Sequence, residues 1–195
     1  MIILKVALIG DGNVGKTALR KRFIGEHFQS TYKMTIGADV SIYHLQLGDL
    51  EVKFQIWDLA GQPLFYQVRS TYYSGTAGCL IVYDITNKQS FENIPLWIKE
   101  ALKHSKSETL PLVLLGNKID LRGELHGSLT PKHGQVLAKE IEKIPRKNPL
   151  KCMYMETSAK TGENVDKAFL ALTKLILEED ESSYGLKGSV WKIGV

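Results

Sequence analysis

The chain has 195 residues, 44% hydrophobic and 24% charged, with a formal net charge of +4. That length accommodates one domain with a real core and a tail, without disulfide or metal staples. So mild a charge permits an acidic partner or a membrane surface without demanding either and gives no reason to expect nucleic acid, and no run reaches the ~18 apolar residues of a membrane span.

The opening MIILKVALIG lacks a basic leader and runs straight into a glycine-rich loop, so it reads as a strand over Ile2–Ile9 rather than a cleaved signal. Residue 2 is isoleucine, which excludes the N-myristoylation pattern. Gly10 to Thr17, GDGNVGKT, fits G-x-x-x-x-G-K-[ST], a phosphate loop placed between that strand and a helix expected from Lys16 to about Gly25. Its glycines let backbone N–H groups curl around an anion, and the helix start adds partial positive charge. Gly12, Asn13, Val14, Gly15, Lys16, Thr17 and Ala18 are the candidate phosphate-binding residues. Lys16 would reach the terminal phosphates, and Thr17 would offer its hydroxyl to Mg²⁺. On its own the loop leaves three readings open: an ATP-driven machine, a phosphoryl-transferring kinase, or a switch that reads the last phosphate.

A polar, irregular stretch from His27 to Ala38 precedes two strands joined by Gly48-Asp49, a turn of hairpin type. In the second strand Leu50, Val52, Phe54 and Ile56 alternate with Glu51, Lys53, Gln55 and Trp57, which predicts a half-exposed edge hairpin with Trp57 on its polar side. Gly78–Ile85 reads as a buried strand, and Ser90 as the cap of a helix through about His104. Leu110–Leu115 is another apolar strand, ending in Gly116-Asn117-Lys118. A helix follows from Thr130, with Pro131 at its first position, to Ile144. Cys152–Glu156 is the last strand, and Val165, Ala168, Phe169, Leu172, Leu175 and Ile176 form the core stripe of a helix over Val165–Leu177. This alternation predicts a three-layer α/β fold of the P-loop NTPase kind, its sheet mostly parallel with one antiparallel edge hairpin. Residues 1–177 are expected to form one domain, and residues 178–195, acidic and then Gly/Ser-containing, a flexible tail. Cys79 and Cys152 lie in apolar strand runs and read as buried thiols of a reducing compartment, with a buried disulfide as the alternative.

The base is addressed by Asn117-Lys118-Ile119-Asp120, directly after a strand, where open parallel sheets bind ligands. Guanine presents N1–H and a 2-amino group side by side, and the Asp120 carboxylate can accept both. Adenine would leave that carboxylate desolvated and unpaired, at a cost of several kcal/mol. Lys118 can lay its aliphatic stem over the purine, and Thr157-Ser158-Ala159-Lys160 offers a small-residue turn whose N–H could meet guanine O6.

GDGNVGKT, WDLAGQ, NKID and ETSAK, in that order over Lys5 to Leu177, resemble the small GTPases of the Ras superfamily, and IGAD, QIWDLAGQ, STYYSG and YDIT resemble its Rab branch. The resemblance implies GTP/GDP and Mg²⁺ as cofactors. By it, Thr35 ligates the metal and touches the γ-phosphate, and Asp58 holds the metal through a water. Gly61 gives its N–H to the γ-phosphate, Gln62 orients the attacking water, and Phe28 packs edge-on to the guanine. Gln62, Lys16 and Thr35 are then the catalytic set, with Asn117, Lys118, Asp120, Ser158, Ala159 and Lys160 around the base. Effectors, exchange factors and GTPase-activating proteins would dock on segments 27–38 and 58–75. The protein would act as a monomer in trafficking or signalling, cytoplasmic or peripheral on membranes through partners.

The chain also departs from the family pattern. Trp57 and Tyr73 resemble two of three aromatics that Rab effectors read, but Val40 stands where phenylalanine is usual. Pro63 should stiffen the backbone after Gln62, and Leu64-Phe65-Tyr66 gives that surface an apolar character suited to a partner. The stretch between Asp120 and Thr157 is longer than usual and includes the basic pair Arg146-Lys147, and no cysteine near Trp191–Val195 offers a prenyl site. No arginine lies between His27 and Ala38 to act as an internal finger, so hydrolysis is expected below about one per minute until an activating protein docks. A non-hydrolysing, GTP-bound interaction module is the alternative.

Overall fold

The structure is a computed structural model and describes residues 1–26, 34–107, 109–123 and 127–179. Six strands form one sheet in the order β2-β3-β1-β4-β5-β6. They are β1 (Ile2–Ile9), β2 (Ala38–Leu47), β3 (Leu50–Leu59), β4 (Gly78–Asp84), β5 (Leu112–Asn117) and β6 (Cys152–Glu156). The β2–β3 hairpin is antiparallel and every other pairing is parallel. The expected mixed sheet with one antiparallel edge hairpin is therefore present. Parallel strands must be covered on both faces, which is why β4 and β5 are buried along their whole length.

On one face α1 (Lys16–Phe23) and α6 (Val165–Glu179) cover Leu4, Val6, Leu8, Phe54 and Leu80. Phe23 stacks on Phe169 with ring centroids 3.8 Å apart, and Phe54 meets Phe23 edge-on at 5.7 Å. The stripe expected on the last helix is the one that faces this core. On the other face α3 (Lys88–Glu92), α4 (Ile94–His104) and α5 (Pro131–Glu142) pack around Ile9, Ile81, Tyr83 and Leu114, and α2 (Tyr66–Ser70) lies against α4. Cys79 and Cys152 are free and buried in this second layer, as expected of thiols rather than a disulfide.

The structure corrects two local expectations. The cap near residue 90 is Asn87, whose side chain accepts from the Ser90 N–H; Ser90 lies inside α3. The single helix expected through His104 is two, α3 and α4, divided at Asn93, with Pro95 in the first turn of α4. Proline has no N–H to give to the preceding turn, so a new helix starts there instead. Phe28 with the rest of residues 27–33 of segment 27–38, and residues 180–195 of the expected tail, lie outside the described residues.

Candidate nucleotide-binding and active site

The candidate loops gather at the carboxyl edge of the parallel strands, and the segment carrying Thr35 joins them there because it leads into the antiparallel β2, whose Ala38 pairs with Leu59. After β1 the chain turns through the phosphate loop with Asn13 and Gly15 both at positive φ, 63° and 100°, before α1 begins at Lys16. A side chain at Gly15 would also collide with the Asn117 amide, so the position requires glycine twice over. The loop closes around the Lys16 ammonium, which donates to Gly10 O at 2.7 Å and Asp11 O at 2.6 Å. Burial lowers the Lys16 pKa to about 8, against the opposing pull of Asp58 and Asp11. A buried cation so destabilised gains from an anion placed beside it.

Thr17, Thr35 and Asp58 meet at one point. The two hydroxyl oxygens are 3.1 Å apart, and Thr17 Oγ1 donates to Asp58 Oδ2. The other oxygen, Asp58 Oδ1, is buried without a hydrogen-bond partner, and burial raises the pKa of this carboxyl. Two hydroxyls and an under-satisfied buried carboxylate are hard oxygen donors of the kind Mg²⁺ takes, so the residues present fit that ion. The three come from α1, the segment before β2, and β3, so this point joins the phosphate loop to both neighbouring segments.

The chain after β3 lies directly on the phosphate loop. A Cβ at Gly61 would stand 2.5 Å from Asp11 O, so only glycine permits the approach. Ala60 N donates to Gly37 O at 2.9 Å, tying this segment to the one that carries Thr35. Gln62 precedes a short 3₁₀ turn, Pro63–Phe65, and its Nε2 would be 3.2 Å from a Cβ at Gly12. The glutamine amide therefore stands over the middle of the phosphate loop.

Asn117, at the end of β5, joins three loops from the interior. Its Nδ2 donates to Val14 O at 2.8 Å, while its Oδ1 accepts from Thr157 Oγ1 and Ala159 N, each at 3.2 Å. The next residue, Lys118, holds a left-handed backbone (φ 68°), unusual for lysine, and pairs with Asp84 at 2.7 Å. Asp120 follows on a 3₁₀ turn, Ile119–Leu121, accepts from Ser158 Oγ at 2.6 Å, and lies 3.9 Å from Lys160 Nζ. Ser158 is fully buried and Ala159 nearly so, which makes the Thr157–Lys160 turn a fixed wall beside the carboxylate.

Every described candidate is thus drawn to one strip along the sheet's carboxyl edge, phosphate loop and metal point at one end, Asp120 and its wall at the other. One surface expectation is corrected. Tyr73 is fully buried with its hydroxyl on Glu100 Oε1 (2.9 Å), and it is Tyr72 whose ring lies 5.3 Å from Trp57. Residues 71–73 form a 3₁₀ turn, which rotates neighbouring side chains by about 120° and sends only Tyr73 inward. Val40 pairs in register with Trp57 and is exposed, as are Leu64, Tyr66 and Val68. Sequence reasoning missed Asp11, Asp84, Arg69 and Glu100. Asp11 occupies a variable position of the loop motif, and the rest pair with residues distant in the chain, leaving no local signal.

A mostly parallel α/β sheet with a phosphate-loop sequence after its first strand and a shielded carboxylate after its fifth defines a P-loop nucleotide-binding fold. The sequence matches the Ras family over residues 5–178. It is 39% identical over 178 residues to "Ras-related protein Rab-10" of Diplobatis ommata, covering 91% of this chain and 83% of that one. It is similarly 38% identical to "Ras-related protein SEC4" (93% and 78% covered) and 40% identical to "Ypt/Rab-type GTPase YPT7" (92% and 84%), both of Saccharomyces cerevisiae. The chain belongs to the Ras family, in its Rab-like branch. It is a small GTPase that binds guanine nucleotide and hydrolyses GTP, which removes the non-hydrolysing alternative. Among the described residues no helix is long and apolar enough to cross a membrane.

Proposed function

We propose that the protein is a GTP/GDP switch in which the γ-phosphate holds two segments, 34–37 and 60–70, in the arrangement seen here. The observation that carries this reading is the meeting of Thr17, Thr35 and Asp58, with Ala60 N on Gly37 O beside it. Among the described residues few other polar contacts hold residues 34–37, which supports their release on loss of the phosphate.

In this reading Lys16 draws charge from the terminal phosphates and Gly61 donates its N–H to the γ-phosphate. Gln62 orients the attacking water from its place over Gly12. Thr17, Thr35 and Asp58 would hold Mg²⁺, which would supply charge that offsets that developing on the leaving group. Asp120 accepts the two guanine donors, Lys118 covers one purine face, and a backbone N–H of the Thr157–Lys160 turn meets O6. By the family resemblance Phe28 would pack edge-on to the guanine. Such a site positions and neutralises but lacks an arginine finger, so intrinsic turnover is below about one per minute and rises with an activating protein. The exposed Ile36, Val40, Leu64 and Val68 form the face that effectors, exchange factors and activating proteins would read in turn. The Rab names of its relatives support a place in membrane traffic; in this reading the protein acts as a monomer, cytoplasmic or peripheral on membranes through partners.

Single-turnover hydrolysis of radiolabelled GTP tests the reading. Gln62→Leu is expected to slow hydrolysis by about tenfold or more while leaving GTP affinity intact, since an oriented water contributes to the barrier and not to ground-state binding. An unchanged rate would remove Gln62 from the mechanism.

A further inference from the structure

We infer that Arg69 and Glu100 are a positioning pair that sets the Gly61–Gln62 segment for hydrolysis, with α4 as the fixed frame. The inference rests on the roles proposed above for Gly61 and Gln62. Arg69, on α2, is only 5% exposed, and Glu100, on α4, 9%. The guanidinium grips the carboxylate with both ends of its fork, Nε to Oε1 at 2.6 Å and Nη2 to Oε2 at 2.9 Å. Its remaining nitrogen, Nη1, donates to Ala60 O at 3.1 Å and Gln62 O at 2.8 Å. Those two carbonyls flank Gly61.

Planarity turns this clamp into aim. Ala60 C=O and Gly61 N–H belong to one rigid peptide unit and point in opposite directions, so fixing the carbonyl fixes the N–H. Holding Gln62 O likewise fixes the backbone from which the Gln62 side chain reaches over Gly12. Arg69 therefore acts through Gly61 and Gln62 and touches no phosphate. With its guanidinium buried and occupied, it is not an internal arginine finger.

The frame behind the clamp also holds the phosphate loop. Trp97 Nε1 and Asn93 Nδ2, at the start of α4, each donate to the Asp11 carboxylate at 2.7 Å. The Arg69 guanidinium lies over the Trp97 ring at 4.4 Å, and Tyr73 adds its hydroxyl to Glu100. One helix thus grips the loop that holds the phosphates and the segment that holds the water. A buried ion pair can often be replaced by apolar side chains at little cost in stability, so its presence here is better explained by the geometry it imposes.

The test is single-turnover GTP hydrolysis by the full chain, with dissociation of a fluorescent GDP measured in parallel. The variants are Arg69→Lys and Arg69→Met/Glu100→Gln, each made alone and together with Gln62→Leu. Glutamine keeps an acceptor for Tyr73, and the pairwise change leaves no buried charge unmatched. Lysine keeps the charge opposite Glu100 but cannot span carboxylate and carbonyls together, so it serves if the double variant does not fold. Expected are a loss of hydrolysis of about 10- to 100-fold in the wild-type background, GDP release within about twofold of wild type, and a clearly smaller further loss when Gln62 is already leucine, the share carried by Gly61 remaining. Unchanged hydrolysis in a folded variant would overturn the inference. So would an equal loss in the Gln62→Leu background, or a loss matched by accelerated GDP release, which marks general loosening. If Gln62→Leu alone has no effect, the role of Gln62 itself falls, and the inference with it.

Discussion

Asp120 illustrates what one side chain can decide. Its carboxylate is fixed by Ser158 and largely shielded from water, so its preference for a base carrying two adjacent donors has full energetic weight. Asp120→Asn is expected to lower GTP affinity by about 10²-fold or more, because the new amide N–H faces the guanine 2-amino group. The same variant should gain xanthosine triphosphate, whose 2-carbonyl accepts from that N–H, and competition between the two nucleotides measures the exchange. The two thiols make a second prediction. Burial pushes Cys79 and Cys152 from an ordinary 9.0 up to about 12. Below pH 9 both are protonated whether the chain is folded or not, and they add no pH dependence. Between 9 and 12 the unfolded chain sheds thiol protons that the folded chain keeps, so stability declines with rising pH by about 1.4 kcal/mol per pH unit per thiol. Urea titrations across that window should show a shallower decline for Cys79→Ala/Cys152→Ala, and an identical decline would mean the thiols titrate freely. Asp120 was legible in the sequence because its motif is contiguous. The partners of Asn117 were not, since Val14 and Ala159 reach it only through the fold.

At the scale of elements, α6 anchors one face of the sheet. Phe169 is almost fully buried and stacks on Phe23 from α1, so it couples the helix that follows the phosphate loop to the core. Phe169→Ala is expected to cost about 3–5 kcal/mol in a urea titration, from lost burial and the cavity left behind. A loss below about 1 kcal/mol would show that the face can collapse around the gap. The helical stripe of α6 and the alternation of β3 were readable because each has a period that burial enforces. The division between α3 and α4 was not. Both Asn87 and Ser90 are good capping residues by type, and only the return of Ser90 Oγ to Asp84 N and Asn87 O shows which one lies inside the helix. Likewise Tyr72 and Tyr73 are identical letters, and a 3₁₀ turn rather than composition decides which meets Trp57.

Across the whole molecule, the sheet delivers residues from five loops to one edge, and the order of those loops was visible in the sequence because the motifs follow strands. What the order did not reveal is how the loops are braced from behind. Arg69 and Glu100 are far apart in the chain, as are Asp11 and Trp97, and such pairings leave no periodic trace. The brace matters for the central claim, that loss of one phosphate loosens 34–37 and 60–70 while the sheet and α4 stay fixed. Amide hydrogen exchange with Mg²⁺ and either GDP or a non-hydrolysable GTP analogue tests this most directly. The account predicts protection of those two segments with the GTP analogue, its loss with GDP, and no change in β4, β5 or α4. Equal exchange of both segments in the two nucleotide states would contradict it.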